Sequence, residues 1–229
     1  IWALMKKDLT KVTGANVSLK ISDEFMRAVE GDLEFVQQWP LESLTPQIKK
    51  IVRARELWKT ICRSAWEMAE PGLLMWDNMI KNLPAHQYGE FKSISTNPCG
   101  EIILSPNDSC RLVSMNVSQY VQNAFSRTSE FDFEWFRRDV HVGMHMSDNL
   151  VELELQHVKK IIEIADSQEE KLLWQDIFLA GKNGRRTGLG THGLADCLAK
   201  LGLRYDSEKA MEIVDKIYET FRNTTYQAS

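Results

Sequence analysis

Ser93-Ile94-Ser95-Thr96-Asn97-Pro98-Cys99-Gly100-Glu101, with a second cysteine, Cys110, eleven positions after Cys99, is the stretch on which the reading of this chain turns. In extended backbone, side chains at i, i+2 and i+4 project to one face, so Asn97, Cys99 and Glu101 would converge on one small ligand. Pro98 disfavours helix for Asn97, and Gly100 permits close backbone approach, which together predict a tightly shaped, non-helical segment. A thiol beside a hydrogen-bonding amide and a carboxylate base suits radical or nucleophilic chemistry on a polar substrate. Asn-Pro and Cys-Gly are also ordinary loop dipeptides, so the residue types alone favour a polar turn holding a buried cysteine.

Outward from this segment the pattern alternates between helices and short apolar runs. Val17, Leu19 and Ile21 alternate with polar residues as a strand does, and Ser22 is placed to cap a helix beginning Asp23-Glu24 and stopping at Gly31. Residues 40–46 read as a surface connection between two prolines. A long amphipathic helix is expected over residues 48–69, with Ile51, Ala54, Trp58, Ile61, Ala65 and Met68 at helical spacing and Pro71-Gly72 ending it. Residues 73–76 form a short apolar run before a polar loop, and residues 91–104 carry the cysteine segment. Residues 110–117 read as a buried strand, residues 131–160 and 169–180 as helices, and residues 185–190 as a short strand. A helix over residues 191–201 and a last one capped by Ser207 complete the chain. Strands alternating with helices favour an α/β architecture.

The 229 residues suffice for one sizeable core, and 43% hydrophobic with 26% charged residues is ordinary for a globular protein. A net charge of −4 argues against a nucleic-acid-coating protein or a polybasic membrane binder. Cys62, Cys99, Cys110 and Cys197 are scattered, with no C-x-x-C pair, which favours a reducing cytosol over a secreted disulfide framework. No apolar stretch approaches the ~20 residues that span a bilayer. The start, Ile1-Trp2-Ala3-Leu4-Met5-Lys6-Lys7, lacks an initiator Met and the order of a signal peptide, and reads as an internal cut.

Asn97-Pro98-Cys99-Gly100-Glu101 together with Ser109-Cys110-Arg111-Leu112-Val113-Ser114-Met115-Asn116-Val117 resembles the catalytic segment of ribonucleotide reductases, and the Pro-Cys-Gly form looks most like the adenosylcobalamin-dependent class II enzymes. Further blocks agree in order: Thr13-Gly14-Ala15-Asn16-Val17-Ser18, Asp23-Glu24-Phe25-Met26, Ala54-Arg55-Glu56-Leu57-Trp58, Gly184-Arg185-Arg186-Thr187-Gly188-Leu189-Gly190 and Gly193-Leu194-Ala195-Asp196. The resemblance implies part of a ten-stranded α/β barrel, two five-stranded parallel halves running antiparallel. Residues 1–90 would end the first half-barrel, 91–109 form the catalytic loop and 110–229 start the second half. It also implies roles. Cys99 would carry a thiyl radical that removes the ribose 3'-hydrogen, Glu101 would take the 3'-hydroxyl proton, and Asn97 would hold the ribose hydroxyls, with Pro98 and Gly100 lining the substrate. Cys110 would be half of a reducing dithiol whose other half lies upstream of Ile1. Implied companions are adenosylcobalamin, a ribonucleoside di- or triphosphate, a thioredoxin- or glutaredoxin-type reductant and a homodimeric arrangement, with no bound metal ion, nucleic acid or membrane, in the cytoplasm. Two alternatives stay open: a class I large subunit served by a metal-containing radical subunit, and a non-catalytic nucleotide-binding protein. The fragment alone is expected to be inactive.

Other motifs carry bland readings. Gly188-Leu189-Gly190-Thr191-His192-Gly193 fits G-x-G-x-x-G but lacks the preceding apolar strand of a dinucleotide site, so a close-packed strand-to-helix turn is expected. His141 and His145, with Glu152 or Glu154, have metal-compatible spacing, yet residue 142 is Val where H-E-x-x-H needs Glu, and a solvated pair is expected. Cys62 and Cys197 read as small core residues, the tryptophans as core, and Arg185 and Arg186 as salt-bridging or phosphate-meeting side chains.

Overall fold

The computed structural model describes residues 16–229. The opening segment and the Thr13-Gly14-Ala15 part of the first resemblance block lie outside the described residues. Two compact units divide the chain, Ile1–Pro106 and Asn107–Ser229. Both mix helix and strand, and among the described residues the strands pair two by two in five sheets without closing a barrel.

In the first unit, β1 (Ser18–Ile21) pairs in parallel with β4 (Gly72–Met75), Lys20 standing opposite Leu74. Between them run α1 (Asp23–Glu30), β2 (Glu34–Trp39), β3 (Ile48–Arg53) and α2 (Ala54–Met68), and α3 (Trp76–Lys81) follows β4. Ser22 caps α1 as its sequence demands, accepting from the Phe25 amide at 3.1 Å. The far end of α1 is capped from α2: Arg55 donates to the Val29 and Glu30 carbonyls at 3.1 and 2.6 Å, supplying the cations that a helix C-terminus favours. Phe25, Ala28, Val29, Ala54 and Ile61 form the core between these helices, and Phe35 and Trp58 meet Phe25 edge-on.

The long helix expected over residues 48–69 is a correction. Its first turn is instead strand β3, antiparallel to β2 with Trp39 opposite Ile48 and Phe35 opposite Val52. Ile48 and Val52 satisfy helical and strand spacing alike, and with Ile51 these β-branched residues take the strand when a partner with Phe35, Val36 and Trp39 is at hand. Two core assignments also fail. Cys62 is exposed, because it sits about 100° around α2 from buried Ile61. Trp66, five positions beyond Ile61, faces solvent at 85% exposure, and Trp39 on the β2–β3 hairpin is likewise exposed.

In the second unit, β7 (Arg111–Asn116) pairs in parallel with β10 (Thr187–His192), joined through α4 (Phe133–Ile164) and α5 (Gln168–Gly184). A short hairpin of β8 (Val121–Gln122) and β9 (Glu130–Phe131) precedes α4, and α6 (Leu194–Lys200) and α7 (Glu208–Ala228) close the chain. Asp132, Ser167 and Ser207 cap α4, α5 and α7 with their side-chain oxygens. The buried residues of α4, Phe136, Val140, Gly143, Ser147, Val151, Leu155 and Val158, recur every three or four positions and make one stripe. Phe136, Val140, Val117, Cys197 and Ile217 are wholly buried in one cluster, where burying each large apolar side chain contributes about 1.5–3 kcal/mol.

The strand over residues 110–117 is buried on one side only. Met115 and Leu189 pack against Gly143 of α4, whereas Leu112, one position out of phase, is 66% exposed. The β7–β10 pair thus has one face under α4 and one face carrying Leu112, Ser114 and Asn116 opposite Gly188, Gly190 and His192.

Candidate active site

The cysteine segment is a hairpin rather than an extended strand. β5 (Ser95–Thr96) runs antiparallel to β6 (Ile103–Leu104), and the chain reverses between them in a turn in which the Gly100 amide donates to the Asn97 carbonyl at 3.0 Å. Gly100 has φ +85, a left-handed conformation that glycine takes without strain. The alternation that placed Asn97, Cys99 and Glu101 on one face of extended backbone therefore does not apply. They share a turn at the tip of a hairpin, with Cys99 and Glu101 exposed and Asn97 half-buried. The thiol is not the buried cysteine of the bland reading.

Asn97 builds the turn. Its amide N–H donates to the Ile102 carbonyl at 3.1 Å, and its side-chain Oδ1 accepts from the Ile102 amide at 3.0 Å. This leaves the two Nδ2 protons available to a ligand. The hairpin is moored at two points. A Cβ on Gly100 would stand 3.3 Å from Leu74 of β4, so the turn rests on that buried leucine. The Lys20 ammonium donates to the Ile94 carbonyl and lies 4.1 Å from the centre of the Trp76 ring, a cation–π contact. Partial burial lowers the pKa of Lys20.

Beside the turn lies a cleft of about 380 Å³, lined by Asn16, Ser18 and Lys20 on one side and Ser95, Thr96 and Asn97 on the other. Val17, Leu74 and Pro98 line it as well, so the cleft sets hydroxyl, amide and ammonium groups into a partly apolar wall, which suits a ligand with both polar and apolar surface. Lys20 and Ser18 were not singled out from sequence. Their signal is the strand alternation itself, which puts polar residues at 16, 18 and 20 opposite Val17, Leu19 and Ile21.

Cys110 stands in the second unit, half-buried just before β7. Its neighbours are engaged: Arg186 donates to Asp108 at 2.6 Å, and the Arg111 guanidinium pairs with Glu154 of α4. Arg185 pairs with Asp148 and Glu152, so both arginines are salt-bridging rather than open to phosphate. The glycine-rich motif is mostly the strand β10 itself. A Cβ on Gly188 would meet Cys110 Sγ and Leu112 Cδ2, both at 2.7 Å, and Gly193 has φ +76. Close packing explains Gly188 and Gly193, whereas a Cβ on Gly190 would meet open space. His141 and His145 are exposed, with ring centres 4.7 Å apart, and no cluster of three metal-ligating side chains occurs among the described residues. An unanticipated pair is Ser114 Oγ and His192 Nδ1, 2.8 Å apart across β7–β10. Cys197 is wholly buried as expected, and burial pushes its thiol up to about 11. Among the described residues no helix is long and apolar enough to cross a membrane.

The family described as "Ribonucleotide reductase, barrel domain" matches residues 4–229. The chain belongs to the ribonucleotide reductase barrel-domain family. Among curated relatives, the "Vitamin B12-dependent ribonucleoside-diphosphate reductase" of Thermoplasma acidophilum is 30% identical over 217 residues, 93% of this chain and 25% of that protein. The protein of the same name from Mycobacterium tuberculosis is 28% identical, over 93% of this chain and 27% of its own length. The "Vitamin B12-dependent ribonucleotide reductase" of Streptomyces clavuligerus is 28% identical over 97% of this chain and 21% of its own. The chain thus spans between about a fifth and just over a quarter of these ribonucleotide reductases, and in it the barrel-domain match contains both the Cys99 turn and Cys110.

Proposed function

We propose that this chain supplies the radical-bearing turn and one redox cysteine to an adenosylcobalamin-dependent ribonucleotide reductase, which reduces a ribonucleoside di- or triphosphate to its 2'-deoxy form. The observation that carries the reading is the Cys99 turn: an exposed thiol between Pro98 and Gly100, two unused amide protons on Asn97 and an exposed carboxylate on Glu101, held on a moored hairpin. Cys99, as a thiyl radical, takes the 3'-hydrogen of the ribose. The S–H bond formed is weak enough to be broken again and strong enough to make the abstraction reversible. Asn97 Nδ2 donates to the ribose hydroxyls and holds the ring against the sulfur. Glu101 accepts the 3'-hydroxyl proton, easing departure of the 2'-hydroxyl as water. Cys110 and a partner thiol from the wider protein then give up two electrons and two protons and become a disulfide. The sugar is thereby reduced.

Cys99, exposed between Pro98 and Gly100, is the residue that would receive the oxidising radical from adenosylcobalamin. When bound, that cofactor supplies the oxidising radical to the Cys99 thiol. Residues 1–90, 91–109 and 110–229 form the end of one half-barrel, the catalytic loop and the start of the other half in a ten-stranded barrel, completed by the remainder of the protein. That assembly is cytoplasmic, re-reduced by a thioredoxin- or glutaredoxin-type dithiol, and homodimeric. The test is deoxynucleotide formation by the full-length protein with adenosylcobalamin as the sole radical source. Turnover that needs the cobalamin is expected; turnover without it, supported by a metal-containing partner subunit, would refute the class.

A further inference from the structure

The uncovered face of β7–β10 has a feature that the reaction above does not use. Gly188 lies alongside Cys110, and any side chain there would put its Cβ 2.7 Å from the cysteine sulfur, inside van der Waals contact. The space the Cys110 thiol occupies is therefore made by a missing side chain on another strand. The segment on which the thiol rides is also clasped on both flanks. On one side, Asp108, whose side chain is only 3% exposed, accepts from Arg186 Nε at 2.6 Å and from the Ser109 amide at 2.8 Å. On the other, Arg111, 8% exposed along its side chain, pairs with Glu154 and donates to the Ser109 and Arg186 carbonyls at 3.3 and 3.1 Å. Glu154 also accepts from Ser109 Oγ at 3.2 Å. Residues 108, 109 and 111 are thus each tied to α4 or to the run leading into β10, and Gly188 begins two residues beyond Arg186.

We propose that Gly188 and the two ion pairs Asp108–Arg186 and Arg111–Glu154 are the positioning apparatus of the Cys110 thiol, the glycine opening the sulfur's place and the clasps fixing its segment in register with β10. The inference rests on the redox role proposed for Cys110. A buried ion pair of this kind loosens sharply when one partner is neutralised, because the other charge is left uncompensated. A sulfur displaced by about 1 Å from its productive position costs on the order of a hundredfold in rate. Neither Gly188 nor the clasps touch substrate; they act through Cys110.

The test follows each cysteine separately by alkylation with iodoacetamide and peptide mapping in the full-length protein, with exposed Cys62 as internal control. Gly188→Ala, which crowds the sulfur, slows alkylation of Cys110, and Asp108→Asn, which loosens the segment, speeds it, each by about tenfold, with Cys62 unchanged. Both lower kcat with little change in KM, and Arg186→Lys, which keeps the charge opposite Asp108, stays closer to the parent than Arg186→Met. If Gly188→Ala does not fold, Asp108→Asn carries the same readout. Cys110 alkylation equal to the parent's in the folded variants, or a parallel change at Cys62, would overturn the proposal. Alkylation needs no turnover, so a Cys110→Ser protein with undiminished deoxynucleotide formation would remove the redox role while leaving the positioning result to stand or fall by itself.

Discussion

Asn97 closes its turn through Oδ1, which accepts from the Ile102 amide, and the proposed function gives its Nδ2 protons to the ribose hydroxyls. Cys197 is the contrasting thiol. Wholly buried among Val117, Val140 and Ile217, it has its pKa raised from 9.0 to about 11 by desolvation, and the Tyr120 hydroxyl is raised to about 12 by burial and by Asp139. Both are acids whose folded pKa exceeds the unfolded one. Their contribution is whole below the unfolded values and is lost as pH climbs through the folded ones. For Cys197 a shift of this size corresponds to about 2–3 kcal/mol. Denaturant unfolding of the second unit is therefore expected to show stability falling between pH 9 and 11, with a smaller fall in Cys197→Ala measured against its own neutral-pH value. A stability flat across that window would contradict the assignment.

Among the elements, the β10–α6 junction is the least tolerant point. Gly193 has φ +76, and a Cβ there would stand 2.3 Å from Asn116 Oδ1, the oxygen that accepts the Ser118 amide and caps the turn Val117–Tyr120. Gly193→Ala is expected to lower stability by about 1–3 kcal/mol, seen as a lower denaturant midpoint at unchanged slope. Gly143→Ala is the control, because its new methyl meets only the movable side-chain ends of Leu189 and Met115 and gains helix propensity. Capped elements were the legible ones: Ser22, Ser207 and the acidic first turns announced α1 and α7 because capping is local chemistry. The β2–β3 hairpin was not legible, since Ile48 and Val52 fit both periods and only the partner strand decides. Cys62 and Trp66 were misplaced for a related reason. Spacing gives a stripe's period, whereas its centre is set by what packs against it, here α1 against Ala54 and Ile61.

On the scale of the whole molecule, the family was legible where residue identity and order carry it, and the surroundings of the cysteines were illegible because only juxtaposition makes them. Asn97, Cys99, Glu101 and Cys110 stood out by type and order. The mooring of their hairpin by Lys20 and Leu74, and the fit of Cys110 over Gly188, join residues far apart in sequence and left no local mark. Each unit holds one of the two thiols to which the proposed function assigns a role: Cys99 at an exposed turn in the first, and Cys110, half-buried beside Gly188, in the second. The most direct test of this account is the rate of deoxynucleotide formation by the full-length protein, with adenosylcobalamin, after Cys99→Ser, compared with Cys62→Ser in the same unit. The account predicts a loss of at least about a thousandfold for Cys99→Ser and a parent-like rate for Cys62→Ser. Undiminished turnover in Cys99→Ser would contradict it.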